Sequence, residues 1–113
     1  MHELSICTAL LETILRQREV RGFKRVCRVK LEIGSCSCLD PDALRYAFEV
    51  MSRETFLENA VLEIDRPLAR AVCRDCGTAF DVDSRLASCP HCLGSRLRVS
   101  GGDGMRLIEM AVV

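Results

Sequence analysis

Four cysteines raise the first chemical question. They occur as Cys73-Arg74-Asp75-Cys76 followed by Gly77, and as Cys89-Pro90-His91-Cys92 followed by Leu93 and Gly94, two C-x-x-C pairs with twelve residues between them. Two residues between cysteines let both thiolates of one tight turn reach a single ion, and two such turns supply the four sulfurs of a tetrahedral zinc site. The interval between the pairs is long enough for a short hairpin. The glycines just past each pair let the backbone fold beneath the metal. A closed four-thiolate site has no open coordination position, so it holds a fold together and hydrolyses nothing. An iron–sulfur centre or a redox dithiol are the other chemistries this pattern admits.

The second candidate site is the start of the chain, MHELS. The amine of Met1, the amides of His2 and Glu3 and the His2 imidazole place four nitrogens within a short stretch. Deprotonated amides with an imidazole suit metals that prefer tetragonal nitrogen coordination, nickel or copper(II) more than zinc. The alternative is a solvated histidine ahead of a helix, and the short motif alone favours that reading.

The remaining cysteines read differently. Cys7 and Cys27 fall on expected apolar faces, where free cysteine behaves as a small buried hydrophobe. Cys36 and Cys38 form a C-x-C just after an expected strand. That pair is a strand end, or half of a soft-metal site with no third ligand nearby in sequence. His91 is expected at the surface, because four thiolates already fill a tetrahedral site.

The elements that must position these residues follow from periodicity. Leu4, Cys7, Leu11, Ile14 and Leu15 recur at helical spacing, which predicts an amphipathic helix from Leu4 to about Arg18, stopping near Arg21-Gly22. Cys27, Val29, Leu31 and Ile33 alternate with Arg28, Lys30 and Glu32, which predicts a half-buried strand over 24–33. Asp40 and Pro41 then open a second helix, as cap and first helical residue, with Leu44, Ala47, Phe48 and Met51 on one face. Residues 59–66 and 105–113 predict two further strands. The intervening 71–100 is poor in large apolar residues and reads as a small module inserted in the chain. So small an apolar content cannot support a fold alone, and metal binding would supply the missing free energy.

Composition narrows the classes. The chain of 113 residues carries 16 basic and 16 acidic side chains, 49% hydrophobic residues and eight cysteines. This is one compact domain with a small appended module, too short for a large enzyme core. No apolar run reaches the length of a membrane span, and nothing at the start resembles a signal peptide, so the expected location is cytoplasmic. In a reducing compartment, metal binding explains the cysteines better than disulfides do. A zinc-ribbon nucleic-acid binder is the rival from a different class. It would need a basic face with stacking aromatics, but the charges cancel and the chain has one tyrosine, four phenylalanines and no tryptophan. A thiol oxidoreductase would need one reactive thiol and no metal.

Taken together, the MHE start on an amphipathic helix, the LEIG strand end, the LDPDALRYAFEV helix and the ordered knuckles CRDC and CPHC resemble the HypA/HybF family of hydrogenase nickel-insertion proteins over nearly the whole chain. The resemblance implies an α+β fold, with two helices packed on a three-stranded sheet and an inserted zinc-ribbon module. It implies a nickel-binding domain of residues 1–70 plus 101–113 and a zinc-binding domain of 71–100. Zinc is then structural and held by Cys73, Cys76, Cys89 and Cys92. Nickel is cargo, bound by the Met1 amine, by His2 through imidazole and amide, and by the backbone or carboxylate of Glu3. The implied task is not enzymatic: it is delivery of Ni(II) to the large subunit of [NiFe]-hydrogenase during maturation, together with the nickel-binding GTPase HypB. No nucleic acid or membrane partner is implied, and the exposed edge of a small sheet leaves a homodimer open. Some relatives carry histidines beside the knuckle cysteines that are linked to changes in zinc coordination. Here Gly77 and Leu93 follow the pairs, so the resemblance gives no support for an acid-driven ligand exchange in this chain.

Overall fold

The computed structural model describes residues 3–113. In chain order the elements are α1 (Glu3–Arg21), β1 (Val26–Ile33), α2 (Pro41–Ser52), β2 (Val61–Asp65), β3 (Ala69–Cys73), β4 (Ala79–Val82), β5 (Leu97–Ser100) and β6 (Met105–Val112). The strands form two three-stranded sheets, ordered β2-β1-β6 and β4-β3-β5. Two compact units result. One holds both helices and the first sheet, and the other comprises Ile33–Ser37 and Asp65–Met105. The α+β architecture expected from the sequence, two helices with a three-stranded sheet and a small inserted module, is the one observed. No described helix is long and apolar enough to cross a membrane.

In the first unit, α1 ends where expected. Gly22 takes φ 70 and its amide donates to the Arg18 carbonyl at 2.7 Å, closing the last turn as a left-handed cap. Its buried stripe is rotated from the expected one. Ile6, Cys7, Leu10 and Ile14 are buried, whereas Leu4 and Leu15 remain 53% and 46% exposed on the flank. The start of α2 follows the sequence closely. Asp40 Oδ1 accepts from the amides of Asp42 and Ala43 at 3.0 and 3.4 Å, and Pro41 opens the helix. The amide of Asp40 donates to Glu3 Oε1 at 3.0 Å, which ties the start of α1 to the start of α2.

Strand β1 is the centre of the first sheet. Val29, Leu31 and Ile33 are buried in alternation, but the phase slips at the strand's start, where Val26 is buried and Cys27 exposed. Cys27 is therefore not the buried hydrophobe expected, because Val26 fills the inward position in its place. Arg25 and Val113 exchange backbone hydrogen bonds at one end of the β1–β6 pair, and the Gly34 amide donates to the Gly104 carbonyl at the other, so β6 returns antiparallel to β1. Across the sheet Arg28 reaches Glu63 at 3.0 Å and Glu109 at 2.9 Å. These half-exposed pairs fix register more than they add stability.

The second unit is thin. Ala69, Ala71 and Val82 are its buried apolar cluster, with Phe80, Leu97 and Val99 packed against them. Ala71 lies opposite Phe80 on one side and Val99 on the other. Two further devices stiffen it. A Cβ at Gly34 would run into the Gly102 backbone. Arg66 donates to the carbonyls of Ile33, Gly34, Ser35 and Ser37, at 2.9 to 3.3 Å, and so pins the segment that follows β1.

Candidate metal centre

The four knuckle cysteines converge. Cys73 ends β3, Cys76 sits in the turn after it, and Cys89 and Cys92 form the second turn ahead of β5. Their four sulfurs all lie within 4.8 Å of one another. Cys73 and Cys92 approach to 3.5 Å, Cys76 and Cys89 to 3.6 Å. A tetrahedron with metal–sulfur bonds of about 2.3 Å has sulfur–sulfur edges of about 3.8 Å, so the group matches a zinc-sized ion. Cys73 and Cys89 are buried and Cys76 and Cys92 exposed, and all are free thiols.

Local backbone chemistry sets each sulfur in place. In the first turn the Cys73 carbonyl accepts from Gly77, which takes φ 78, and the Cys73 amide donates to the Thr78 carbonyl. The second turn repeats this, with the Leu93 amide donating to the Cys89 carbonyl at 2.9 Å. Here the left-handed position falls to Leu93, at φ 63, one residue ahead of the glycine. Gly94 is needed for a different reason: a Cβ there would stand 3.2 Å from Cys92 Sγ and 3.0 Å from an Asp75 carboxylate oxygen.

The electrostatics point toward a cation. Hydrogen bonds from the Thr78 hydroxyl, 3.2 Å from Cys76 Sγ, and from its amide hold the Cys76 thiol down to about 6. The Gly94 amide pulls Cys92 in the same direction, but Cys73, burial, Cys76 and Cys89 together push it up to about 12. One thiol of the four ionises readily while another resists, because its proton is held by hydrogen bonds to the neighbouring sulfurs and by burial. A soft divalent ion displaces that proton, and a sulfur-only donor set selects zinc or iron over magnesium or calcium.

The remaining sequence candidates fall as follows. His91 is exposed and contributes its amide, 3.4 Å from Cys89 Sγ. Cys7 is fully buried, and burial raises its thiol above the ordinary range. Cys36 is half-buried and Cys38 exposed. Among the described residues the knuckle thiols are the one cluster of three or more metal-ligating side chains, so the C-x-C pair gains no third ligand. Met1 and His2 lie outside the described residues. Glu3 is the first residue of α1. Sequence reasoning missed Thr78 and the amides of His91 and Gly94. Their only signal was position, within two residues of a knuckle cysteine.

Known proteins match the chain from end to end. The family described as hydrogenase/urease nickel incorporation, metallochaperone, hypA matches residues 1–112. The hydrogenase maturation factor HybF of Salmonella typhimurium is 40% identical over 99% of either chain. The hydrogenase maturation factor HypA of Paracoccus denitrificans is 43% identical over 100% of both. The solution structure of the Ni metallochaperone HypA from Helicobacter pylori has the same fold, with a TM-score of 0.68 at 24% identity, covering 100% of this chain and 98% of that one. The family is one of metallochaperones and maturation factors, not of enzymes. Because the agreement runs along the whole length and not at the knuckles alone, the chain belongs to the HypA/HybF family of nickel-incorporation metallochaperones.

Proposed function

We propose that the protein binds Ni(II) at its N-terminus and delivers it to the large subunit of [NiFe]-hydrogenase during maturation, in the cytoplasm and in concert with the GTPase HypB. The observation that carries this reading is the family match, which begins at residue 1 and so includes the MHE start. The relatives' names, hydrogenase maturation factors, favour hydrogenase as the destination within a family described for both hydrogenase and urease. Nickel is assigned to the Met1 amine, His2 and Glu3, within residues 1–70 plus 101–113. Structural zinc is assigned to Cys73, Cys76, Cys89 and Cys92, within residues 71–100.

The two sites suit their tasks in opposite ways. Four thiolates from two tight turns enclose an ion and hold a small fold around it. Ligands at a chain end can be replaced one at a time by those of a recipient. Protonation of His2, whose ordinary pKa is about 6.5, loosens the cargo in acid. Selectivity over copper must come from geometry, since copper is intrinsically the stronger binder.

The test is a calorimetric nickel titration of the zinc-loaded chain with its native start, beside a version extended by one glycine before Met1 and the His2→Ala variant. One tight Ni(II) site should vanish in both altered proteins while zinc content stays the same. Undiminished nickel binding by either altered protein would refute the terminal assignment.

A further inference from the structure

The arginines that look dispersed in the sequence are gathered by the register of the small sheet. On β3 the buried residues Ala69, Ala71 and Cys73 alternate with exposed Arg70 and Val72, and Arg74 continues the outward set. Val72 lies opposite Arg98 of β5, and Arg70 opposite Ser100. The Arg74 amide donates to the Arg96 carbonyl, so the same register brings these two side by side. The outer face of β4-β3-β5 thus presents Arg70, Arg74, Arg96 and Arg98. Two of them are neutralised, Arg70 by Asp81 at 3.0 Å and Arg96 by Asp75 at 3.1 Å. Arg74 and Arg98 form no ion pair or side-chain hydrogen bond among the described residues. With Val72, which is 40% exposed, they line a recess of about 370 Å³.

We propose that this recess is a docking site for an acidic segment of a protein partner, whose carboxylates pair with Arg74 and Arg98 while an apolar side chain between them covers Val72. Charge complementarity selects the occupant. A guanidinium presents paired donors that match a carboxylate, and two of them flanking an apolar spot read a short acidic–apolar–acidic sequence. A nucleic acid fits less well. It is held through many phosphates, whereas only two arginines here are unpaired, Asp75 and Asp81 stand beside them, and the recess has no aromatic side chain for a base to stack on. Arg74 lies within the first knuckle, but the proposal uses its guanidinium and not the thiols, and it is independent of the nickel reading.

The probe is a short synthetic peptide of aspartates and glutamates around one leucine, titrated into the zinc-loaded, nitrogen-labelled full chain and followed by amide and arginine side-chain resonances. Saturable shifts are expected at Val72, Arg74 and Arg98, weakening with added salt. Removing both guanidinium groups, as Arg74→Gln with Arg98→Gln, should weaken binding about tenfold, while Arg53→Gln on α2 leaves it unchanged. A lysine-for-acid version of the peptide should not bind. The proposal is overturned if the shifts map to another surface or fail to saturate, or if the double variant binds as well as the parent. Tighter binding of oligodeoxythymidylate at this same face would overturn it in favour of nucleic acid. The mapping on the parent protein decides the matter even if the double variant loses zinc.

Discussion

The thiols of the knuckles differ in how hard a metal must work to displace their protons. Cys76, lowered to about 6 by Thr78, is already a thiolate at neutral pH, whereas Cys92, raised to about 12, still carries its proton. On the proposed zinc assignment, binding should therefore release the Cys92 proton throughout the neutral range, and affinity should rise with pH. As pH falls below about 6, Cys76 also takes up a proton that zinc must displace, so the fall in affinity steepens there. Thr78→Val removes the hydroxyl donor, lets Cys76 rise and moves that break to higher pH. At neutral pH it should weaken zinc about tenfold, the lower end for loss of an outer-shell partner. A chelator competition series across pH measures both effects. An unmoved break and unchanged affinity in Thr78→Val would show that the hydroxyl does not act on Cys76. The convergence of the four knuckle cysteines was legible from spacing alone, because C-x-x-C encodes a turn. Thr78 was not, because what marks it is the direction of a hydroxyl, which spacing does not carry.

Elements divide in the same way into those written in local patterns and those decided by contacts distant in sequence. The α2 start was legible in Asp40 and Pro41, since a cap satisfies amides two and three residues away. The α1 stripe was legible only as helical. Several apolar residues offered more than one face, and tertiary contact chose Ile6, Leu10 and Ile14 over Leu4 and Leu15. At Cys27 alternation misled, because Val26 took the inward place. The end of β1 holds the least legible feature, the close approach of Gly34 to Gly102, two glycines far apart in sequence. Gly34→Ala forces the new methyl against backbone, which cannot turn aside as a side chain can. We expect a loss of about 2 to 3 kcal/mol in the free energy of unfolding, read by denaturant titration of the zinc-loaded protein. A variant within 0.5 kcal/mol or so of the parent, the ordinary range for a tolerated surface change, would mean that this approach is looser than it stands here.

At the scale of the whole molecule, the two units rest on different sources of stability. Both helices and the larger set of buried side chains, Ile6, Leu10, Ile14, Val29, Leu31, Leu44 and Phe48 among them, belong to the first. The second has Ala69, Ala71 and Val82 at its centre, small side chains whose burial yields little hydrophobic free energy. Its fold needs another contribution, and a metal bound only by the folded form supplies one by mass action. Removing zinc with a strong chelator should therefore unfold Asp65–Met105 and spare the helices. The helical part of the circular dichroism spectrum should change little, since every helical residue lies in the first unit, while amides of β3, β4 and β5 lose protection from hydrogen exchange. Cys73→Ser should behave as the chelated protein does, because it removes a buried thiol of the four-sulfur cluster. Retained protection in β3 after zinc is gone would show that the small apolar cluster suffices alone. Loss of the helical signal together with the ribbon would show that the first unit also depends on the metal.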